Sequence, residues 1–454
     1  MLGRYARRSA FLLSVLFPLI PNVYALGNTD LAPGVVNVQL PPYSAPVMTP
    51  SDSCYSGAPK DATSAIQTAL SATAAAGGGI VFMPTGTYCI GTHLIVPGAT
   101  VLRGVFESPP PTGTGTLFLQ TVLMGVENAG MPMGSPLITL SNRGSMIEGV
   151  TIFYPGQTDA TKAGAGPTTA WTPVIFPPTI QAVGDTAIRN VMLLNSYYGI
   201  ALLNSGRHIV DGVWGQPIAT GIQVDNSFDI GRISNVHFWP FWDINVGPPP
   251  GPVVAFIQAH GTAFRFIRSD WEIVHDCFAY GYNVGMEFTD QGNGGTNGEF
   301  SNINFDSVGT GLDIHTTQQY GAHFSNLNIA NVNSGTAKAI WAHNETGPAS
   351  INISNGTVWG ATHQAILWEA PNGLLMLSGM RFQTIVSGVP AIQVNRGKAM
   401  IQNSAFEGAA AGLTDVSVAT TASSVMITNN MLFGGAVSIP PPPSTIALSA
   451  NNKP

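Results

Sequence analysis

Glu287 and Asp313 stand at the same place in two successive short segments, Gly285-Met-Glu-Phe-Thr and Gly311-Leu-Asp-Ile-His. Segments of this form recur as Gly199-Ile-Ala-Leu-Leu, Gly221-Ile-Gln-Val-Asp, Ala263-Phe-Arg-Phe-Ile, Ala339-Ile-Trp-Ala-His, Ala365-Ile-Leu-Trp-Glu and Ala391-Ile-Gln-Val-Asn. Side chains alternate across a strand, so if the apolar positions face a core the intervening ones form outward columns. One column runs Ala201, Gln223, Arg265, Glu287, Asp313, Trp341, Leu367, Gln393. Its neighbour runs Leu203, Asp225, Ile267, Thr289, His315, His343, Glu369, Asn395. A register error of one residue would turn both columns inward.

Parallel strands lie about 4.8 Å apart, which would make Arg265, Glu287, Asp313 and Trp341 a continuous row with His315 and His343 beside it. Adjacent carboxylates repel, and the expectation is that one keeps its proton while the other ionises. Such a pair is what glycosidic cleavage needs. Glu287 and Asp313 suit the separation of about 5 Å used by retaining enzymes, and Asp313 with Glu369, two strands apart, suits the roughly 6.5 to 9.5 Å of inverting ones. The candidate catalytic residues are therefore Glu287, Asp313 and Glu369. Arg265, His315, Trp341 and His343 are candidate substrate contacts. Arg268 and Asp270 could orient a substrate carboxylate and a catalytic acid, or form an ion pair at a turn.

These columns need a scaffold that repeats. A unit of the form apolar-x-Asn/Asp/Gly-x-x-apolar occurs as IEGVTI at Ile147, IRNVML at Ile188, IVDGVW at Ile209, ISNVHF at Ile233, IVHDCF at Ile273 and FSNINF at Phe300. It continues at Phe324, Ile353, Leu377, Ile401 and Ile427. The third positions are Gly149, Asn190, Asp211, Asn235, His275, Asn302, Asn326, Asn355, Gly379, Asn403 and Asn429, mostly twenty to thirty residues apart. A period in the twenties with alternating apolar residues predicts the coils of a parallel β-helix. An inward Asn at a fixed turn would hydrogen-bond its equivalent one coil away.

Two steps, 149 to 190 and 235 to 275, are far longer than the rest, and the excess falls at Tyr154 to Ile180 and Trp239 to Thr262. Both insertions lie between the first strand of a coil and its second, hence at one corner of the solenoid. Long loops there would wall a groove. Trp239 and Trp242 could stack on sugar rings or anchor the loop.

Upstream, Asp61 to Gly77 is an Ala-rich helix with a polar start and a Gly stop, suited to cap an open β-helix end. The run DATSAIQTALSATAAAGGGIVFMPTGTYCIGTHLIVPGATVLRG that it opens resembles the start of the pectin lyase-like superfamily, in particular the rhamnogalacturonase and epimerase-like pectate lyase domain. With the later repeats, the resemblance covers roughly residues 50 to 450 and implies an all-β chain, a single-stranded right-handed parallel β-helix with a short N-terminal capping helix. It implies polysaccharide chemistry without fixing the reaction. Polygalacturonases place Asp-Asp and Gly-His-Gly before the corresponding strands; here Tyr197-Tyr198, Tyr282-Asn283 and Val308-Gly309-Thr310 stand there, and Ala259-His260-Gly261 is similar to the histidine motif. Pectate lyases of the superfamily use Ca2+ held by acids and an Arg or Lys base. By that resemblance Glu287, Asp290 and Asp313 would hold the cation and Arg265 or Arg268 would be the base.

The expected organisation is a signal peptide at 1–25, an extended arm at 26–60 and the β-helix domain at 61–454. Arg4, Arg7 and Arg8 precede an apolar run from Ala10 to Ile20 and a small-residue site near Ala25, which predicts secretion, extracellular or periplasmic. Cleavage would remove three Arg and no acids, taking the net charge from −7 to −10. No basic stripe is present to neutralise phosphates, which argues against a nucleic-acid partner. Charged residues make up only 9% of the chain and Gly and Pro number 52 and 34, as expected of short strands joined by tight turns. Cys54 and Cys89 could pair in an oxidising compartment, and Cys277 falls at a core position. Zinc is disfavoured because His315 and His343 lack an evident third and fourth ligand. The reading is a secreted glycoside hydrolase with no cofactor, monomer or homotrimer. The alternatives are a Ca2+-assisted lyase and a non-catalytic carbohydrate-binding surface protein.

Overall fold

A computed structural model describes residues 34–105, 120–157, 171–242, 252–332, 336–360, 362–383, 385, 388–407, 414–441 and 447–453. The expected signal peptide at 1–25, the first residues of the expected arm and the middle of both insertions lie outside the described residues. The described residues wind as a right-handed parallel β-helix and form two sheets of 18 and 13 strands. Every strand pairing between neighbouring coils is parallel. The arm joins it early: Val35–Asn37 pairs with Gly79–Phe82, and a Cys54–Cys89 disulfide ties the arm to the first coils.

Helix α1 (Thr63–Ala75) caps the N-terminal end, with Ile66 and Leu70 buried one turn apart. Asp61 receives the Thr63 amide and hydroxyl at 3.0 and 2.6 Å, occupying a donor that the first helical turn leaves open. A second helix, α2 (Pro252–His260), was not expected. It occupies the second insertion and buries Val253, Val254 and Ile257. Its Phe256 meets Trp171 of the first insertion edge-on at 6.0 Å, so the two insertions share a corner.

The core is a stack of apolar columns. Met286, Leu312, Ile340, Ile366 and Ile392 succeed one another in register, each fully buried. Aromatic stacks run beside them, with Phe266 on Phe288 at 5.5 Å and Phe300 on Phe324 at 4.8 Å. Small residues open the strands of the 13-strand sheet because coils pass close there: a Cβ on Gly311 would lie 2.6 Å from the Ala339 carbonyl oxygen.

The Asn-marked position is a bend within the long strands of the 18-strand sheet, and it differs from expectation in two ways. First, its residues are left-handed and lie one place later than expected in two coils. Gly212 (φ 69°) and Asp276 (φ 56°) take the position, in place of Asp211 and His275. They align with Asn190, Asn235 and Asn302, at φ 49° to 53°. Gly, Asn and Asp are the residues that reach this region at least cost. Second, the side chains at Asn235, Asp276, Asn302, Asn326 and Asn355 are exposed, so the ladder runs along the outside. Asn326 donates to Asn302 Oδ1 at 3.0 Å and Asn302 to Asp276 Oδ1 at 2.8 Å.

Candidate active site

The 13-strand sheet puts its charged residues in line on its outer face. Gln223 pairs with Arg265, Arg265 with Glu287, Glu287 with Asp313, Asp313 with Trp341, Trp341 with Leu367 and Leu367 with Gln393. Each is partly exposed while the residues on either side of it in the strand are buried. His315, His343 and Glu369 stand two places further along successive coils.

Each carboxylate has its own cation or donor. Arg265 Nη2 donates to Glu287 Oε1 at 3.2 Å, and its Nε forms an ion pair with Oε2 at 2.9 Å without hydrogen-bond geometry. Asp313 sits between two imidazoles: His343 Nε2 donates to Oδ1 at 2.6 Å, and His315 Nε2 stands 3.6 Å from Oδ2. Glu345 takes the other side of His315 at 2.7 Å. Glu369 accepts from Trp341 Nε1 at 3.1 Å and from Asn395 at 3.2 Å. The Trp341 ring packs on His343 at 3.8 Å and under Lys338 Nζ at 3.9 Å.

This reverses the expected electrostatics. Burial alone would raise the Asp313 carboxyl, but hydrogen bonding to His315 and His343 outweighs it and holds the group down to about 2. The Asp313 carboxylate pushes His315 up to about 9, opposed by desolvation and helped by Glu345. Repulsion from Glu287 is not among the influences that set the Asp313 carboxyl, which are burial and its two imidazoles. The protonated group beside Asp313 at neutral pH is an imidazolium.

Among the described residues, Asp313, His315 and His343 are the one set whose ligand atoms converge, all within 4.8 Å of one another. The expected Ca2+ set of Glu287, Asp290 and Asp313 is not brought together; Asp290 instead caps a turn by accepting the Gly292 amide at 3.0 Å. Two imidazoles are also poor ligands for a hard cation. Asp313 supplies the third ligand that the sequence did not reveal for a softer metal, yet the His315 and His343 rings stack at 4.1 Å and 8°. Their lone pairs then run side by side, which suits a shared carboxylate better than a single ion.

Other candidates lie away from this row. Arg268 and Asp270 pair with each other at 2.7 and 3.1 Å, Gln318 donates to Asp270 at 2.6 Å, and Arg268 lies over Phe228. They brace the next corner of the solenoid. Trp242 is nine-tenths buried against Phe153, Met192 and Leu194, and Trp239 packs on the same cluster. Neither offers a flat face to the Glu287–Asp313 row; they anchor the second insertion to the outer face of the 18-strand sheet. Lys338, Glu345 and Asn395 join the site without having been singled out as site residues. Lys338 carries a signal in sequence, opening a strand three places before Trp341, whereas Glu345 falls outside every repeat.

No family model matches the sequence, and no curated protein matches it. Solved structures do. The catalytic domain of a GH87 α-1,3-glucanase, in complex with tetrasaccharides, aligns with 85% of this chain and 70% of its own at 11% identity and a TM-score of 0.52. DFA-IIIase from Arthrobacter chlorophenolicus A6 in complex with GF2 aligns over 90% and 96% at 11% identity and 0.52. An N-terminal fragment of bacteriophage phi29 gene product 12 aligns over 87% and 66% at 16% identity and 0.54. The fold these structures share with this chain is the right-handed parallel β-helix. In this β-helix the row from Arg265 to Trp341 runs parallel to the solenoid axis, one residue per coil. A linear chain laid along the axis would meet these side chains in succession. No helix among the described residues is long and apolar enough to cross a membrane.

Proposed function

We propose that the protein is a secreted glycoside hydrolase acting on a uronate-containing polysaccharide, with Asp313 as its working carboxylate. The observation that carries the reading is the Asp313 carboxylate held ionised between His343 and a protonated His315. An ionised carboxylate attacks an anomeric carbon or draws a proton from water; a neighbouring acid protonates the departing oxygen. Glu287 is ion-paired with Arg265, and the proton beside Asp313 is on His315. Glu369 acts as a positioning residue, fixing the Trp341 indole that packs on His343. Arg265 and Lys338 supply positive charge on the same face for substrate carboxylates. The carbohydrate-active proteins among the structural matches support the reading at the level of fold.

The test is to incubate the full-length protein with uronate-containing and neutral polysaccharides, following new reducing ends and the ultraviolet absorbance of unsaturated products, with and without chelator. Reducing ends without absorbance are expected, insensitive to chelator. Asp313→Asn should lower kcat at least about 100-fold. Chelator-sensitive absorbance would show a lyase, and binding with neither signal would show a non-catalytic carbohydrate-binding protein.

A further inference from the structure

The 18-strand sheet carries a concave site of its own, on the face of the solenoid away from Glu287 and Asp313. Where Ala187–Leu194, Ile209–Gly215, Arg232–Phe238 and Ser269–Tyr280 bend at their left-handed residues, their outer surfaces form a shallow depression of about 410 Å3, largely open to solvent. That volume falls in the range of about 300 to 1,000 Å3 typical of small-molecule sites.

One wall is aromatic. Trp214, His237 and Phe278 occupy the same register position on three successive coils. The other wall is polar, formed by Asp211, Asn235 and Asp276. Between them the outer ladder is interrupted, because the left-handed residue of the Trp214 coil is Gly212. A Cβ there would meet Asn190 Oδ1 at 2.8 Å and the Trp214 ring at 3.0 Å, so glycine lets the Trp214 ring lie close over the bend.

The polar wall is fixed before any ligand arrives. Asp211 Oδ1 accepts from Asn235 at 2.6 Å and from Ser234 at 2.8 Å; Asp276 accepts from His275 and Asn302, each at 2.8 Å. His237 is held edge to face by Trp242 at 5.4 Å and Phe278 at 5.0 Å, and among the described residues its ring nitrogens have no hydrogen-bond partner. Among the described residues no Lys or Arg lines the site, and Arg189, the register partner of Asp211 on the preceding coil, stands outside it. An aromatic wall facing carboxylate and amide oxygens suits a pyranose, whose C–H face stacks while its hydroxyls donate. Two carboxylates with no lining cation oppose an anionic ligand.

We propose that this elbow is a second carbohydrate site that binds a neutral hexopyranose unit, stacked on the Trp214–Phe278 wall and hydrogen-bonded to Asp211 and Asp276. It is separate from the hydrolytic reading and stands whether or not Asp313 is catalytic. The two faces would sort sugars by charge, uronates toward Arg265 and Lys338, neutral residues toward the elbow.

The test is calorimetric titration of the full-length protein and its Asp313→Asn variant with methyl glycosides of glucose, galactose and mannose, and with galacturonate. At least one neutral glycoside should saturate, equally in both proteins. Trp214→Ala should weaken it at least about tenfold, a loss of about 1.4 kcal/mol. Trp214→Phe, which keeps an aromatic face and serves if the alanine variant does not fold, should lose less. Chemical-shift changes in the wild type should centre on His237 and Asn235. Saturation by no neutral glycoside, equal affinity in Trp214→Phe and wild type with no shift at His237, or loss of binding in Asp313→Asn would each overturn the proposal.

Discussion

Replacing Asp313 by Asn tests the electrostatics of the active face without requiring a known substrate. In the wild type His315 is raised from 6.5 to about 9, chiefly by Asp313, and Asp313 is lowered from 3.8 to about 2 by its imidazoles. The His315 contact contributes its full stability below pH 6.5 and loses it as pH rises through about 9; the Asp313 contact contributes above pH 3.8 and loses it as pH falls through about 2. Each describes the same cluster from one side, so the two are not summed. At 1.36 kcal/mol per unit the His315 displacement corresponds to an upper limit of about 3 kcal/mol, and with its side chain about one quarter exposed about 2 kcal/mol is a realistic share. Asp313→Asn removes the largest influence raising His315 and leaves desolvation opposed only by Glu345. Imidazole proton NMR should place the His315 midpoint near 9 in the wild type and at least about one unit lower in the variant. Urea unfolding should show the wild type losing about 2 kcal/mol between about pH 6.5 and 9.5, with the variant nearly flat over that interval. A wild-type midpoint at or below 6.5, or parallel stability profiles for the two proteins, would refute the His–Asp–His arrangement.

Asp415 gives the opposite sign. Burial raises it to about 7 from 3.8, it is 2% exposed, and its Oδ2 has no hydrogen-bond partner among the described residues. The folded state holds this proton while the unfolded chain has lost it, so the group costs stability progressively above pH 3.8, levelling off beyond about 7. Asp415→Asn should therefore stabilise by about 2 to 4 kcal/mol near pH 8 and by almost nothing near pH 4, measured by urea unfolding; equal effects at both would contradict it. At the outer ladder, Asn302→Gly keeps the left-handed bend and loses the hydrogen bonds to Asp276 and Asn326, which should cost about 1 kcal/mol. Asn302→Val should cost about 1 to 2 kcal/mol more, since a β-branched residue resists that conformation, and a valine no worse than glycine would show the bend to be unconstrained.

The Arg265–Glu287–Asp313–Trp341 row was legible from sequence because two patterns agree. Alternation with period two decides which residues face out, and the coil repeat decides which strands are neighbours. Buried positions such as Leu312 and Ile314 leave no other register, since a slip of one would bury Asp313 without a partner. The Asn position was legible only to within one residue. In Val-Asp-Gly-Val and Val-His-Asp-Cys two adjacent residues compete, and only the backbone shows that Gly212 and Asp276 take the bend. Its outward direction was also hidden, because a polar residue between apolar ones fits an inward ladder and an exposed bend equally well. Loops carry no such period. Nothing in Trp239-Pro-Phe-Trp242 reveals that these rings turn to Phe153 and Met192, and Glu345 lies where no repeat predicts a neighbour.

The least legible property was the sign of the carboxylate chemistry, and the reason is general. Repulsion between Glu287 and Asp313 follows from their spacing, but at one coil's separation it is a modest force that any nearer cation overrides. The groups that hold the acids come from different places in the repeat: Arg265 from the preceding coil of the same column, His315 from just past the end of the Asp313 strand, His343 from the following coil. Column membership predicts the first contact. The others require the side chains to turn along the strand and across it, which no periodicity encodes. The same limit explains the elbow of the other sheet, where Trp214, His237 and Phe278 form a column as regular as the active one. Their spacing alone gives an aromatic stripe; only the bend at Gly212, which closes that stripe against Asp211 and Asp276, makes it a place where a ligand could sit. In this solenoid the repeat sets which residues are neighbours, and the departures from it, an imidazole turned onto a carboxylate or a glycine where an asparagine usually stands, set what those neighbours can do.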